Sequence, residues 1–323
     1  MKIAVVGATG LVGESLCAIL ADKLPTATLQ LYGNKSVGTK VSYQGKKYTI
    51  LPVDSICENL PDVAMFMANE SVAKQFVPQL ASKGVVCIDN SSYFRLHKDV
   101  PLVVPTINGQ TIGKSKIIAN PNCTTIQVAM ALNCLKPLHP KRVTVATYQA
   151  ASGAGREGLM DLVQNRTYGK TKAFLHPIAN NLLPLVGTIT ESGYSTEEIK
   201  MQKECAKILD TSLEINCFCA RVPVTVGHSA FVNVQFEDPF TLPQVKQLLQ
   251  GGKDILTFFE PYENVLPMPM GIRGSKYVGV GRVIRDATSN GINMFVVADN
   301  ILRGASYNAY EILEVVMQEN DYE

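Results

Sequence analysis

Two domains are expected, a parallel, doubly wound α/β domain followed by an α+β domain with a mixed sheet, and three features of the sequence carry that expectation. Across residues 1–122 short β-branched runs alternate with helix-like stretches, the pattern of successive βαβ units. After Asn120-Pro121 the strands lengthen, alternate polar with apolar residues and are parted by few helices, as in mixed sheets. The length of 323 residues exceeds one average domain and falls short of three. The second domain then spans 123–303, and a last helix within 304–323 rejoins the first.

In the first domain Lys2 to Val6, Thr28 to Tyr32, Ala64 to Phe66, Val85 to Asp89 and Lys116 to Ile118 are the expected strands. Leu11 to Lys23 is the first crossover helix, stopped by Pro25; Ser71 to Lys83 is another, ended by Gly84 and strained by Pro78. A helix from Thr124 to Leu135, closed by Pro137, opens the second domain. Its strands are expected at Arg142 to Gln149, Ile215 to Val222, Ser229 to Phe236, Tyr277 to Ile284 and Ile292 to Ala298. Helices are expected near Arg156 to Asn165, Ser195 to Leu209 and Leu242 to Leu249, and Ala305 to Gln318 reads as a final helix packing back on the first domain.

Thirty Lys and Arg against 28 Asp and Glu leave a net charge of +2, too little to capture a polyanion, so no nucleic-acid partner is expected. No apolar run reaches the roughly 18 to 20 residues a bilayer span needs. Met1-Lys2 leads straight into Ile3 without a signal-peptide layout, so no membrane partner is expected and the chain is placed in the cytoplasm. Eight cysteines are scattered, without C-x-x-C pairs or histidines at zinc spacing, so no metal is expected. Most read as small buried apolar residues.

Gly7-Ala8-Thr9-Gly10-Leu11-Val12-Gly13 is a G-x-x-G-x-x-G turn between a strand and a helix. Backbone can approach a pyrophosphate there, and the helix start offers N–H groups and a positive dipole end. A Rossmann-type dinucleotide site formed by Gly7, Ala8, Thr9, Gly10, Leu11 and Val12 is therefore favoured over a merely tight turn. After the second strand, where an acid would select NAD, the chain runs Asn34-Lys35-Ser36. Lys35 with two small polar neighbours could hold the 2′-phosphate of NADP, or be a solvated turn residue.

Cys123, in Asn120-Pro121-Asn122-Cys123-Thr124-Thr125, stands where Pro121 turns the chain into a helix. The dipole and N–H groups there push a thiol toward thiolate and can stabilise an oxyanion. A thiolate and a nicotinamide together define aldehyde oxidation through a thioester, resolved by phosphate, coenzyme A or water. Of four histidines, His97, His139 and His176 sit in loop contexts. His228 follows Gly227 just before a strand, seven residues after Arg221, and is the candidate acid-base group rather than a structural histidine.

At these residues the sequence resembles the aspartate-β-semialdehyde dehydrogenases. The likeness rests on the glycine turn, Asn90-Ser91-Ser92-Tyr93-Phe94-Arg95, the Cys123 segment, Tyr148-Gln149-Ala150-Ala151-Ser152-Gly153-Ala154-Gly155 and Glu204-Cys205-Ala206-Lys207-Ile208-Leu209. It extends to Arg221-Val222-Pro223-Val224, Gly227-His228-Ser229 and Asp299-Asn300 with Arg303-Gly304-Ala305. The resemblance implies NADP-dependent, phosphorylating oxidation of aspartate semialdehyde, with Cys123 as nucleophile, His228 as acid-base catalyst and Gln149 orienting the intermediate. It implies Arg221 for the α-carboxylate, Glu204 for the amino group, Arg95, Asn122 and Lys207 for phosphate, Ser152, Gly153 and Asn300 beside the cofactor, and a homodimer. Read from spacing alone, Glu204 and Lys207 are an ordinary surface ion pair. Many relatives carry Ser and Arg where this chain has Asn34 and Lys35, and a Glu where it has Thr106. Open alternatives are a malonyl-CoA or acetylglutamyl-phosphate reductase on the same scaffold, and a non-catalytic dinucleotide-binding homologue.

Overall fold

The computed structural model describes residues 1–164, 171–259, 265–288 and 290–319, so the last residue of the helix expected at Arg156 to Asn165 lies outside the described residues. The chain divides into two compact units, Met1–Pro121 with Ala305–Glu323, and Asn122–Gly304.

In the first unit β1 (Lys2–Val6), α1 (Leu11–Lys23), β2 (Thr28–Gly33), β3 (Lys40–Tyr43), β4 (Lys46–Thr49), β5 (Leu51–Pro52), β6 (Val63–Phe66), α2 (Glu70–Ser82), β7 (Val86–Asp89), α3 (Pro105–Asn108) and β8 (Ile117–Ala119) follow in order. Six of the strands form a parallel sheet, β5-β2-β1-β6-β7-β8. Ile3, Ala4, Val5 and Val6 of the central strand are all buried, as a strand covered by helices on both faces requires. Strand order reverses between β1 and β6, so their carboxyl ends flank the switch point where nucleotides bind such sheets. Leu16 and Leu20 of α1 and Leu313 of the C-terminal helix (Tyr307–Glu319) join Ile3, Val5 and Leu31 in one core cluster. The helix α2 continues through Pro78 because that residue lies on the exposed face, where water can satisfy the carbonyl left without its bond.

The second unit runs α4 (Cys123–Cys134), β9 (Pro140–Gln149), α5 (Gly155–Gln164), α6 (Thr196–Leu209), β10 (Glu214–Arg221), β11 (His228–Phe236), α7 (Leu242–Gln250), β12 (Ile255–Phe258), α8 (Pro269–Ile272), β13 (Val278–Arg285) and β14 (Gly291–Ala298). Its sheet is mixed, in the order β10-β9-β11-β14-β13-β12. Pairs β10–β9 and β12–β13 are parallel, whereas β9–β11, β11–β14 and β14–β13 are antiparallel. Helices α4, α6 and α7 pack against it, and α4 is buried from Thr124 to Leu132, as an internal helix apolar on most sides must be. Tyr148 and Phe218, 37% and 57% exposed, lie on strands of this sheet, and Tyr148 stacks on Phe295 with centroids 6.2 Å apart.

Every expected strand and helix has an observed counterpart with ends within two residues. The β3–β4 hairpin, β5 and β12 were not expected. The hairpin closes on Gln44-Gly45, whose φ of 47° and 76° suit a type I′ turn, a position where Gln gives little warning. No helix among the described residues is long and apolar enough to cross a membrane.

Candidate active site

Cys123 is the first residue of α4 because Pro121 disfavours helix before it and Asn122 caps the helix. The Asn122 side-chain oxygen accepts from the backbone N–H of Thr124 at 2.9 Å and of Thr125 at 3.3 Å. Its Nδ2 donates to Glu197 Oε1 at 2.8 Å, and its backbone N–H to Glu204 Oε2 at 2.7 Å. The thiol thus stands at the positive end of a helix of 12 residues, where negative charge is favoured. Gly304 lies against it: a Cβ at 304 would sit 2.8 Å from Cys123 Cβ and 3.2 Å from its Cα.

Strand pairing gathers the other candidates. Gln149 and Arg221 end β9 and β10 and are register partners, and β11, antiparallel to β9, begins with His228 next to that end. Gln149 Nε2 donates to Thr124 Oγ1 at 2.9 Å and to Glu197 Oε1 at 3.0 Å, and Cys123 Sγ lies 4.0 Å from the same Thr124 hydroxyl. His228 is completely buried, and its Nδ1 accepts the Ala150 N–H at 2.9 Å, which puts the ring proton on Nε2. Nε2 has no hydrogen-bond partner among the described residues. Burial, and then the nearby Arg221 charge, holds this imidazole well below its ordinary value, so it is neutral at pH 7.

Arg221 is 7% exposed; its Nη1 donates to Ala150 O at 2.8 Å and its Cζ lies 5.7 Å from the Phe174 ring centroid. Burial lowers its guanidinium, an effect opposed by Glu197 and Cys123, which are therefore within electrostatic reach. Gly153 backs onto both Arg221 and His228, since a Cβ there would meet Arg221 Nη1 at 2.6 Å and His228 Cε1 at 3.1 Å. Ser152 Oγ and Asn300 are hydrogen-bonded, and Asn300 Oδ1 also accepts the Gly227 N–H at 2.9 Å, where φ is 102°.

Helix α6 corrects one reading. Glu204 has no exposed surface and Lys207 is half-buried, so the two are not an ordinary surface pair. Burial lowers Lys207, and Glu204 partly offsets this. Glu197 was not anticipated; its only sequence signal is a carboxylate two helical turns before Glu204, hence on the same face. A capping box, Ser195 with Glu198, starts the helix, and Glu198 also accepts the Cys219 N–H at 2.9 Å, tying α6 to β10.

In the first unit the glycine turn fits a pyrophosphate. Gly7 has φ 84°, and a Cβ on it would lie 2.4 Å from Met67 O; a Cβ on Gly13 would lie 2.1 Å from Gly7 O. Gly10 caps α1 and brings no side-chain acceptor, so the first-turn N–H groups around Leu11 and Val12 can face a ligand. Ala8 N–H donates to Tyr32 O at 3.2 Å, and Thr9 Oγ1 lies 2.9 Å from Ser36 Oγ, which joins the turn to the residues after β2. Asn34 and Lys35 are exposed there. Arg95 is buried and donates from Nη2 to Asn90 O at 2.8 Å. No group of three His, Cys, Asp or Glu that could hold a metal occurs among the described residues.

Residues 2–115 match the family described as semialdehyde dehydrogenase, NAD binding domain, and residues 135–303 match semialdehyde dehydrogenase, dimerisation domain. The aspartate-semialdehyde dehydrogenase of Aquifex aeolicus is 38% identical over 98% of this chain and 98% of its own. That of Campylobacter jejuni is 39% identical over 97% and 96%. The crystal structure of aspartate semialdehyde dehydrogenase II from Vibrio cholerae complexed with ASA matches with a TM-score of 0.94 and 35% identity, covering 99% of this chain and 98% of that one. With both family models matched in order and such identity along its length, this chain belongs to the aspartate-semialdehyde dehydrogenase family.

Proposed function

We propose that the chain interconverts L-aspartate 4-semialdehyde plus phosphate with L-aspartyl 4-phosphate, using NADP and a thioester on Cys123, on the route to lysine, threonine, methionine and isoleucine. One observation carries this reading: a thiol at a helix start, a neutral imidazole with its proton on Nε2 and a buried guanidinium are gathered within one unit. In oxidation the Cys123 thiolate attacks the aldehyde carbon, and charge builds on the carbonyl oxygen. His228 shares its Nε2 proton with that oxygen and recovers it as the carbonyl re-forms. The nicotinamide, when bound, supplies the hydride acceptor. Phosphate then attacks the thioester carbon, and the Cys123 thiolate leaves.

Arg221 holds the α-carboxylate with its planar fork and Glu204 supplies counter-charge for the ammonium, while Gln149 orients the acyl group. Asn122 and Lys207 bind the phosphate, a role the family resemblance also gives to Arg95. For the cofactor, the reading is supported by the glycine cradle of Gly7, Ala8, Thr9, Gly10, Leu11 and Val12, with Ser152, Gly153 and Asn300 assigned to the nicotinamide end. NADP is preferred over NAD because Asn34, Lys35 and Ser36 follow β2 without a carboxylate. The aromatic group Tyr148, Phe218 and Phe295 on the second sheet supports a homodimer contact.

The test is an assay with aspartate semialdehyde, phosphate and each nicotinamide cofactor. NADPH formation should need all three reactants. Arg221→Lys should lower kcat as well as raise KM, because an ammonium keeps the charge and loses the two-bond geometry. Oxidation without phosphate, or a better rate with malonyl-CoA, would overturn the reading.

A further inference from the structure

Helix α6 reaches the residue before the nucleophile with two carboxylates on one face. Glu204 takes the Asn122 backbone N–H at 2.7 Å, and Glu197 Oε1 takes both Asn122 Nδ2 at 2.8 Å and Gln149 Nε2 at 3.0 Å. The orientation of both amides follows from chemistry. Asn122 Oδ1 faces two backbone donors, so its nitrogen has to face Glu197. A carboxylate oxygen repels another oxygen, so Gln149 must also turn its nitrogen that way. The second N–H of Gln149 goes to Thr124 Oγ1 at 2.9 Å, and what is left to offer is the second lone pair of the carbonyl oxygen, which already accepts from Thr147 Oγ1 at 3.4 Å.

We infer that Glu197 is a positioning residue for this reaction, which fixes Asn122 as the helix cap and makes Gln149 present an acceptor, not a donor, to the bound acyl group. The inference rests on the thioester reading proposed above. Glu197 does not act on the substrate itself; it acts through the two amides, and Thr124 links them to the thiol, whose Sγ is 4.0 Å from its hydroxyl. Gln149 then holds a hydrogen-bearing group of the substrate. Stabilising the charged oxygen falls to His228 Nε2–H and the start of α4. Lys200, 3.8 Å from Glu197, balances part of its charge from the outer side.

The experiment is a double-mutant cycle on the full chain with Glu197→Ala, Gln149→Ala and both together, read as kcat and KM with semialdehyde, phosphate and NADP. Glu197→Ala should lower kcat about 10- to 100-fold, the usual effect of losing a partner that orients a functional group, with KM for NADP held within about twofold. The double variant should fall below Gln149→Ala by less than Glu197→Ala falls below wild type, because only the part of the Glu197 effect that runs through Asn122 is left once Gln149 is gone. Glu197→Asp should recover part of the loss. Losses that multiply, or a Glu197→Ala kcat within about twofold of wild type, would overturn the inference. Should Glu197→Ala fail to fold, the isosteric Glu197→Gln takes its place in the same cycle, where non-multiplying losses support the inference and multiplying losses overturn it. Wild-type enzyme lacking phosphate-dependent turnover would instead overturn the reaction beneath it, a result distinguishable from any outcome of the cycle.

Discussion

The buried ring of His228 fixes the sign of one pH response. Its folded value lies well below the ordinary 6.5 because burial, then Arg221, disfavours the imidazolium. Below the ordinary value an unfolded chain takes up a proton that the folded chain does not, so stability falls as pH drops from the ordinary value toward the depressed one and is unaffected above the ordinary value. The slope from this one group is at most about 1.4 kcal/mol per pH unit. The difference in unfolding free energy between wild type and His228→Asn should therefore decline on acidification below the ordinary value and stay flat above it; a difference flat throughout would mean the ring charges in the fold. Gly304 gives a second prediction. Its alanine would press a methyl against Cys123, costing about 1 to 3 kcal/mol by overpacking, and shift the thiol enough to lower kcat on the order of 10²-fold. An unchanged melting temperature and kcat would show that the neighbouring chain yields freely. Cys123 could be picked out in the sequence because its flanks, Pro121 and Asn122, announce a helix start locally. Glu197 could not, because its bonds reach Asn122 and Gln149, 75 and 48 residues away in the chain.

The main helices and the strands β6, β7 and β8 were legible, whereas the β3–β4 hairpin, β5 and β12 were not. Helix α1, with 13 residues, has ends that coincide with those expected, whereas β5, with 2 residues, is too short to show any period. The C-terminal helix begins later than expected because Leu302–Ser306 forms a π-helical turn, held by Asp299, whose carboxylate accepts the Ile301 and Leu302 N–H groups at 2.9 Å. Nothing in the pattern of apolar residues distinguishes such a turn from an ordinary one. The turn after β2 carries a prediction for cofactor choice. Lys35→Glu should swing kcat/KM toward NAD by repelling a 2′-phosphate and offering an acceptor to a ribose hydroxyl. If both kcat/KM values are unmoved, Lys35 is only a solvated turn residue.

For the molecule as a whole, the passage from a parallel to a mixed sheet could be anticipated from the change in strand character at Asn120-Pro121, because sheet type leaves its mark on residue alternation. What stayed hidden was the tertiary placement of polar groups, such as the burial of Glu204, which spacing alone assigns to a surface. The first unit is discontinuous, and removing residues 305–323 would strip Ile312, Leu313 and Val316 from the core that holds Ile3, Val5 and Leu16. At about 1.5 to 3 kcal/mol for each large apolar side chain, the loss is comparable to the roughly 5 to 15 kcal/mol that stabilises a domain. Limited proteolysis of a chain ending at Gly304 should cut within 1–121 and spare α4 and the second sheet; equal resistance of both parts would contradict this. The same discontinuity sets a timetable for biosynthesis. A ribosome adding about 5 to 20 residues per second needs roughly 10 to 40 s to pass from 122 to 304, and for that interval β1 and α1 lack their covering helix. The part of the chain made first is thus the last to be completed, and during translation its uncovered strands are the surface a chaperone would meet.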